Sequence, residues 1–221
     1  MPRQNRVDPF GNLIAVAARG TLTGNRGCLH DADGKIVRRW TTRAWIACRL
    51  EFKGRHRQIM TPNRWTELFF LDEATALSAG HRPCGECRRE DYLRFKAAWV
   101  AGNPGLDLTP ATPIQKIDAI LQRDRVSEPP RSAKVMFSAE MDRLPDGTFV
   151  VGPDGATPWL VWGDKLLRWS PSGYEEAIER PEAAAFNVLT PRSMVAALDA
   201  GYRPSVHSSA WTFGQSVPPL P

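Results

Sequence analysis

The sequence predicts an α+β chain in two parts, a small mixed N-terminal domain and a β-rich C-terminal one. Three observations carry this. An apolar helical pattern over residues 72–79 ends on Gly80 and runs into the tight knuckle Pro83-Cys84-Gly85-Glu86-Cys87. Between Gly102 and Pro113 stand three Pro and two Gly, the composition of a boundary. Beyond Leu144, short apolar runs alternate with Asp-Gly and Gly-Asp pairs, the signature of a β-meander. The expected units are therefore 10–101, a linker with a packing helix at 102–125, and 126–221. A chain of 221 residues with 42% hydrophobic content and eight Trp is enough to build such cores.

Each element follows from a local pattern. Residues 10–60 read as strands, with Gly20, Gly24 and Gly27 as turn points and Asp33-Gly34 as a hairpin turn. From Trp45 to Gln58 the residues alternate. Ile46, Cys48, Leu50 and Phe52 fall on one face, expected to meet the core, and Arg49, Glu51, Lys53, Arg55 and Arg57 on the other. Thr66–Phe70 reads as a short strand, and 72–79 as an amphipathic helix capped by Asp72 or its neighbour. Glu90–Val100 forms a helix with Tyr92, Phe95 and Trp99 on one side, and Ile114, Ile117, Ile120 and Leu121 mark a packing helix to Arg125. In the C-terminal part the meander runs from Leu144 to Trp169, and a helix follows at Ser193–Asp199. ALDAGYRPSVHS at 197–208 echoes ALSAGHRPCGEC at 76–87, either as a repeat or as a shared helix-stop turn. Ser205 and Ser208 replace the two cysteines there, so His207 is not counted as a metal ligand.

The Cys84-x-x-Cys87 spacing lets two thiolates grip one ion from a short loop, which is half of a tetrahedral zinc site. A redox dithiol and an inert buried pair are the competing readings. A redox C-x-x-C opens a helix, whereas this pair follows one, so zinc is preferred. The N-terminal domain is accordingly expected to be zinc-stabilised. Cys48 ranks next as a ligand, then His30 and Cys28, with His56 behind. Cys28 and His30, two residues apart after the Gly24–Gly27 turn, face one side if extended. Cys48 and His56 would be about 26 Å apart on a straight strand and meet only if Lys53-Gly54 turns.

The run Leu68-Phe69-Phe70-Leu71-Asp72-Glu73-Ala74, with Leu77, Ala79-Gly80, Arg82-Pro83-Cys84 and Cys87, resembles the metal-binding domain of the Ada family of alkylated-DNA response proteins. The likeness spans residues 66–90, and His81 stands where the family usually has an aromatic residue. It implies a zinc-binding fold. In the family the other two ligands are cysteines three residues apart upstream, one of which accepts a methyl group from a DNA phosphotriester. This chain has no C-x-x-x-C, only Cys28 and Cys48, and carries neither the base-repair methyltransferase motif nor an evident helix-turn-helix.

Charge points the same way. Residues 1–100 hold 18 Lys+Arg and 10 Asp+Glu, while the remainder holds 11 and 14. A basic half is the footprint of a nucleic-acid binder, or the solvated surface of a basic protein. Arg49, Lys53, Arg55 and Arg57, near Trp40, Trp45 and Trp65, form the candidate contact strip, with DNA ahead of RNA; a charged edge strand is the alternative. No position two residues after Cys28, His30, Cys48 or His56 is acidic, which excludes the zinc deaminase signature. GxSxG, P-loop and dinucleotide fingerprints are absent. No apolar leader or long apolar run appears, and four cysteines suit a reduced compartment, so a cytoplasmic protein without membrane contact is expected. The expected role is zinc-dependent nucleic-acid binding in DNA repair or the alkylation response. A methyl-accepting zinc thiolate and a structural zinc domain for protein partners are the alternatives.

Overall fold

The computed structural model describes residues 1–54, 58–128 and 133–214. Strands β1 (Arg6–Val7), β2 (Leu13–Ile14), β3 (Leu22–Asn25), β4 (Ile46–Arg49), β5 (Leu68–Phe70) and β6 (Arg82–Pro83) build a six-stranded sheet ordered β2-β1-β5-β3-β4-β6. Helix α1 (Glu73–Ser78) lies between β5 and β6 in sequence, and α2 (Arg89–Gly102) and α3 (Ile114–Arg125) follow. A second sheet of β7 (Phe137–Glu140), β8 (Phe149–Val151), β9 (Pro158–Trp162), β10 (Lys165–Ser170), β11 (Gly173–Glu179) and β12 (Ala185–Val188) is ordered β11-β10-β9-β8-β12-β7. Helix α4 (Arg192–Asp199) comes after it. The architecture is thus mixed α+β. Among the described residues, no helix is long and apolar enough to cross a membrane.

The meander is where the turn pairs placed it, with Gly147, Gly155 and Gly163 at positive φ between or beside its strands. The Asp33-Gly34 turn closes a single antiparallel bridge, His30 to Ile36, rather than paired strands. The alternating strand from Trp45 is cut short. Only Ile46–Arg49 is extended in a ladder, and Lys53 already has a φ of 53° in a turn. The parity of the alternation holds, but its faces are exchanged: Ala47 enters the core, while Ile46 and Cys48 are half-buried on the opposite side. Ala47 is small because β4 lies between β3 and β6, with α1 packed against the same core through Ala76 and Ala79.

Two of the hydrophobic clusters span the expected boundary at 102–113. Leu71 and Ala74 share one cluster with Phe149, Leu160, Trp162 and Trp169 from the second sheet. Leu77, Phe95, Trp99, Ile117 and Leu121 share another with Met194, Leu198 and Tyr202. The first sheet also begins before residue 10, because β1 pairs in parallel with β5. The two sheets therefore belong to one packed body.

Helix α1 corrects a second expectation. It is buried at every residue rather than amphipathic, and its acidic start is satisfied by the far end of the chain. Asp72 caps the Thr75 N–H at 2.8 Å and accepts from the Tyr174 hydroxyl at 2.7 Å and the His207 N–H at 2.9 Å. Glu73 accepts from the Tyr202 hydroxyl at 2.5 Å and the Ser205 N–H at 3.0 Å, and pairs with Arg88 at 2.8 Å. Burial, and then the adjacent carboxylate, push both tyrosine hydroxyls above their ordinary range, so each remains a donor.

The two echoing segments end their helices in the same way. His81 N–H bonds to Ala76 O at 2.8 Å and Tyr202 N–H to Ala197 O at 3.0 Å, while Gly80 and Gly201 take φ of 91° and 99°. This is the left-handed stop that glycine supplies without steric cost.

Candidate metal centre

Parallel pairing of β4 with β6 aligns Ile46 with Arg82 and Ala47 with Pro83, so the next residue on each strand is a cysteine. The Cys84 N–H donates to Ala47 O at 2.9 Å and holds that register. The knuckle then turns back, with Arg88 N–H on Cys84 O at 3.2 Å. Arg88 anchors its end through Glu73 and Asp91, each at 2.8 Å. As a result the sulfurs of Cys48, Cys84 and Cys87 all lie within 4.8 Å of one another.

Three thiolates on a tetrahedral ion with metal–sulfur bonds of about 2.3 Å stand about 3.8 Å apart, so the cluster matches that geometry. Its hydrogen bonds match as well. The Glu86 N–H points to Cys84 Sγ and the Arg49 N–H to Cys87 Sγ, both at 3.4 Å. Such donors stabilise negative sulfur. S–H donation from Cys48 and Cys87 holds the Cys84 thiol well below its ordinary range, and the bond to Cys84, then that to Cys87, pushes Cys48 up. Without a cation the three sulfurs cannot all be anionic; with one they can. The cluster is therefore placed to hold a metal ion.

Of the five expected ligands the structure brings three together. His30 and Cys28 do not join them. His30 is buried with Nδ1 on the Thr66 hydroxyl at 2.6 Å and Nε2 on Thr61 O at 3.2 Å, so both ring nitrogens are engaged. Cys28 Sγ faces His30 O at 3.7 Å. The two residues tie the Gly27–Ile36 turn to the segment before β5. Arg55, His56 and Arg57 lie outside the described residues.

A groove of about 490 Å³ opens beside the sulfurs, lined by Cys48, Phe52, Trp65 and Phe69. Cys84 and Cys87 are each 9% exposed, whereas Cys48 is half-buried on the groove wall. Arg49 reaches this groove, but so do Glu51, Glu67 and Glu86, so its floor is not uniformly basic. Lys53 is exposed and stands over the Phe52 ring at 5.1 Å. Of the expected cation strip, Arg49 ends β4 and Lys53 stands in the turn beyond it, so these two do not share one face of a long strand. Phe69 is the groove residue that sequence reasoning left out. It sits at the non-buried position of β5, between buried Leu68 and Phe70, and that alternation was its signal.

His81 occupies the aromatic position of the AG-x-RPC turn and packs as an aromatic. Its ring meets Phe70 edge-on at 4.7 Å and Trp45 at 5.1 Å. Among the described residues neither ring nitrogen has a hydrogen-bond partner. Burial, and then the nearby charges of Arg26, Arg125 and Lys134, hold it well below its ordinary range, so it is neutral.

No family model matches this chain, and no curated protein or solved structure matches it significantly.

Proposed function

We propose that this is a zinc protein whose three-cysteine centre serves nucleic-acid binding, in DNA repair or the response to alkylation. One observation carries the reading: three sulfurs converge at the wall of an aromatic groove, which all three cysteines line. An all-thiolate set favours zinc over hard cations such as magnesium or calcium. Zinc would be held by Cys48, Cys84 and Cys87, and would keep those sulfurs deprotonated at neutral pH. In this reading the zinc also stabilises the N-terminal α+β part, in the manner of the Ada-type domain that residues 66–90 resemble.

The groove suits an unstacked base better than a phosphate. Phe52, Trp65 and Phe69 offer aromatic surface, and the carboxylates among its walls accept hydrogen bonds from amino groups while repelling phosphate. The phosphates would follow the rim at Arg49 and Lys53, with Arg55 and Arg57 next in sequence. A second reading, methyl transfer from a phosphotriester oxygen to Cys48 Sγ with a phosphodiester as leaving group, is favoured by one asymmetry. The N–H···S bonds fall on Cys84 and Cys87, and Cys48 is the least buried of the three cysteines that line the groove. Such bonds lower nucleophilicity, so Cys48 is the acceptor in that case.

The test joins metal analysis with a titration against single- and double-stranded DNA and RNA at several salt concentrations. One zinc per chain is expected, lost in Cys84→Ser and retained in Cys28→Ser. Arg49→Glu should weaken every sequence about equally and reduce the salt slope by about one. After exposure to DNA bearing methyl phosphotriesters, peptide mass analysis reads out any methyl on Cys48. Zinc without binding to any nucleic acid at low salt would leave a structural zinc domain.

A further inference from the structure

Neighbouring residues at the end of β3 and the start of β4 serve two different cavities. Asn25 and Ile46 line the groove beside the cysteines, whereas Arg26 and Trp45 line a second cavity of about 430 Å³. Arg125, from the end of α3, and Lys134 also reach this second space, with Phe10 and Trp40 among its other walls.

The cations are held in place by backbone rather than by carboxylates. Arg26 Nη2 donates to Gly11 O at 2.9 Å, Arg125 Nη1 to Gly80 O at 2.8 Å, Arg125 Nη2 to Arg43 O at 2.6 Å, and Lys134 Nζ to Ser78 O. Both guanidinium groups lie over the Trp45 ring, at 4.6 and 4.0 Å. Arg26 is 3% exposed and Arg125 fully buried, and among the described residues the Nε of each has no hydrogen-bond partner. An unsatisfied donor on a buried cation costs free energy, and it is the group an incoming anion would satisfy.

Counter-charge is scarce. Asp118 is bound by both prongs of Arg82, at 2.7 and 2.8 Å, and Asp124 accepts the Ser193 N–H at 3.2 Å. Asp8 is left facing Arg26 and Lys134, itself held by Asn12. Arg38 and Arg39 line the same cavity, and no carboxylate is among its described lining residues, so the lining is net positive. Burial lowers Arg26 and Arg125 to about 9 and Lys134 to about 7, helped by Arg39 at Arg26, by Arg26 and Arg82 at Arg125, and by Arg26 and Arg125 at Lys134.

We infer that this cavity is a phosphate-monoester site, taking the phosphate of a nucleotide between Arg26, Arg125 and Lys134 with its ring against the Trp40 and Phe10 side. A monoester dianion suits a lining that is net positive and holds no carboxylate among its described residues. Guanidinium forks suit tetrahedral oxyanions, and a volume of this size accommodates one nucleotide rather than a strand. The phosphate could come from a free mononucleotide or from the phosphorylated end of a strand. This site is independent of the cysteine centre and of its proposed role.

The experiment uses the full-length metal-loaded protein, with binding followed by calorimetry and by the shift of the melting midpoint. The probes are inorganic phosphate, a nucleoside 5′-monophosphate, the matching nucleoside, and short oligonucleotides ending in 5′-phosphate or 5′-hydroxyl. Inorganic phosphate and the monophosphate should bind saturably and raise the midpoint, and the nucleoside should not. Lys134→Gln should weaken both phosphate ligands about tenfold or more. Trp40→Ala, at the half-buried rim, should weaken the nucleotide and spare inorganic phosphate. Preference for the monophosphate identifies a small-molecule ligand, and preference for the 5′-phosphorylated oligonucleotide a strand end; each requires the phosphate. Three results would overturn the inference: no saturable binding of either phosphate ligand to the wild type, equal binding of the monophosphate and its nucleoside, or unchanged affinity in a folded Lys134→Gln. If Lys134→Gln fails to fold, Arg26→Lys, which keeps the charge but loses the fork, must show the weakening.

Discussion

His81 is a histidine used for its shape. Enclosed by Trp45 and Phe70 with both nitrogens unsatisfied among the described residues, it contributes ring contacts and carries the desolvation cost of two polar atoms. His81→Phe keeps the ring and removes that cost, so it should raise stability by about 1 kcal/mol, whereas His81→Gln should lower it. The pH dependence has a defined sign. The folded-state value lies well below 6.5, and the unfolded chain binds a proton near 6.5. Below that pH the unfolded state holds more protons, and stability falls as pH drops. Denaturant midpoints from pH 7 to 5 should therefore decline more steeply for the wild type than for His81→Phe, and parallel curves would refute the neutral buried assignment. The aromatic slot at position 81 was legible in the motif. What satisfies or fails to satisfy its nitrogens was not, because Arg26, Arg125 and Lys134 converge on it from segments far apart in sequence.

At the scale of elements, the shared helix stop supplies an internal control. Gly80 and Gly201 have the same backbone, but a Cβ on Gly80 would lie 2.6 Å from Arg125 Cδ, whereas nothing lies within 4 Å of one on Gly201. Arg125 cannot retreat easily, since its donors are fixed on Gly80 O and Arg43 O. Gly201→Ala should cost about 1 kcal/mol from left-handed strain, and Gly80→Ala about 3 kcal/mol from strain and overpacking together. Equal denaturation midpoints for the two variants would contradict this. The same level shows why some elements were readable and others not. Helices α2 and α3 and the meander declare themselves by period and by turn residues, which are local. Strand β4 had a readable parity, yet the side that meets the core depends on β3, β6 and α1 packing around Ala47. Cys28 and His30 had suitable spacing for ligands, but Thr61 and Thr66 engage the histidine from a distant segment, and no spacing rule could show that.

Across the whole molecule, the proline-rich stretch at 102–113 looks like a hinge and connects two parts of one body. Leu77 and Trp99 share a core with Met194 and Tyr202, and Leu71 shares one with Trp169. Cutting the chain there should yield fragments that lack cooperative unfolding, while the intact protein melts in one transition by both far-ultraviolet circular dichroism and tryptophan fluorescence. Two separate transitions would restore the two-domain division. The acid pair at the start of α1 also bears on the order of events during synthesis. Arg88 pairs with Glu73 early, but Asp72 and Glu73 emerge from the ribosome long before Tyr174, Tyr202, Ser205 and His207, whose hydroxyl and N–H groups complete their hydrogen bonding in the interior. At about 5–20 residues per second, the last of these appears many seconds later. Until then α1 has no low-energy place in the interior, so the knuckle that follows it waits in a solvent-exposed chain. Folding of this part is therefore held back until His207 has emerged, and the nascent cysteines are open to metal, oxidant or chaperone throughout that interval.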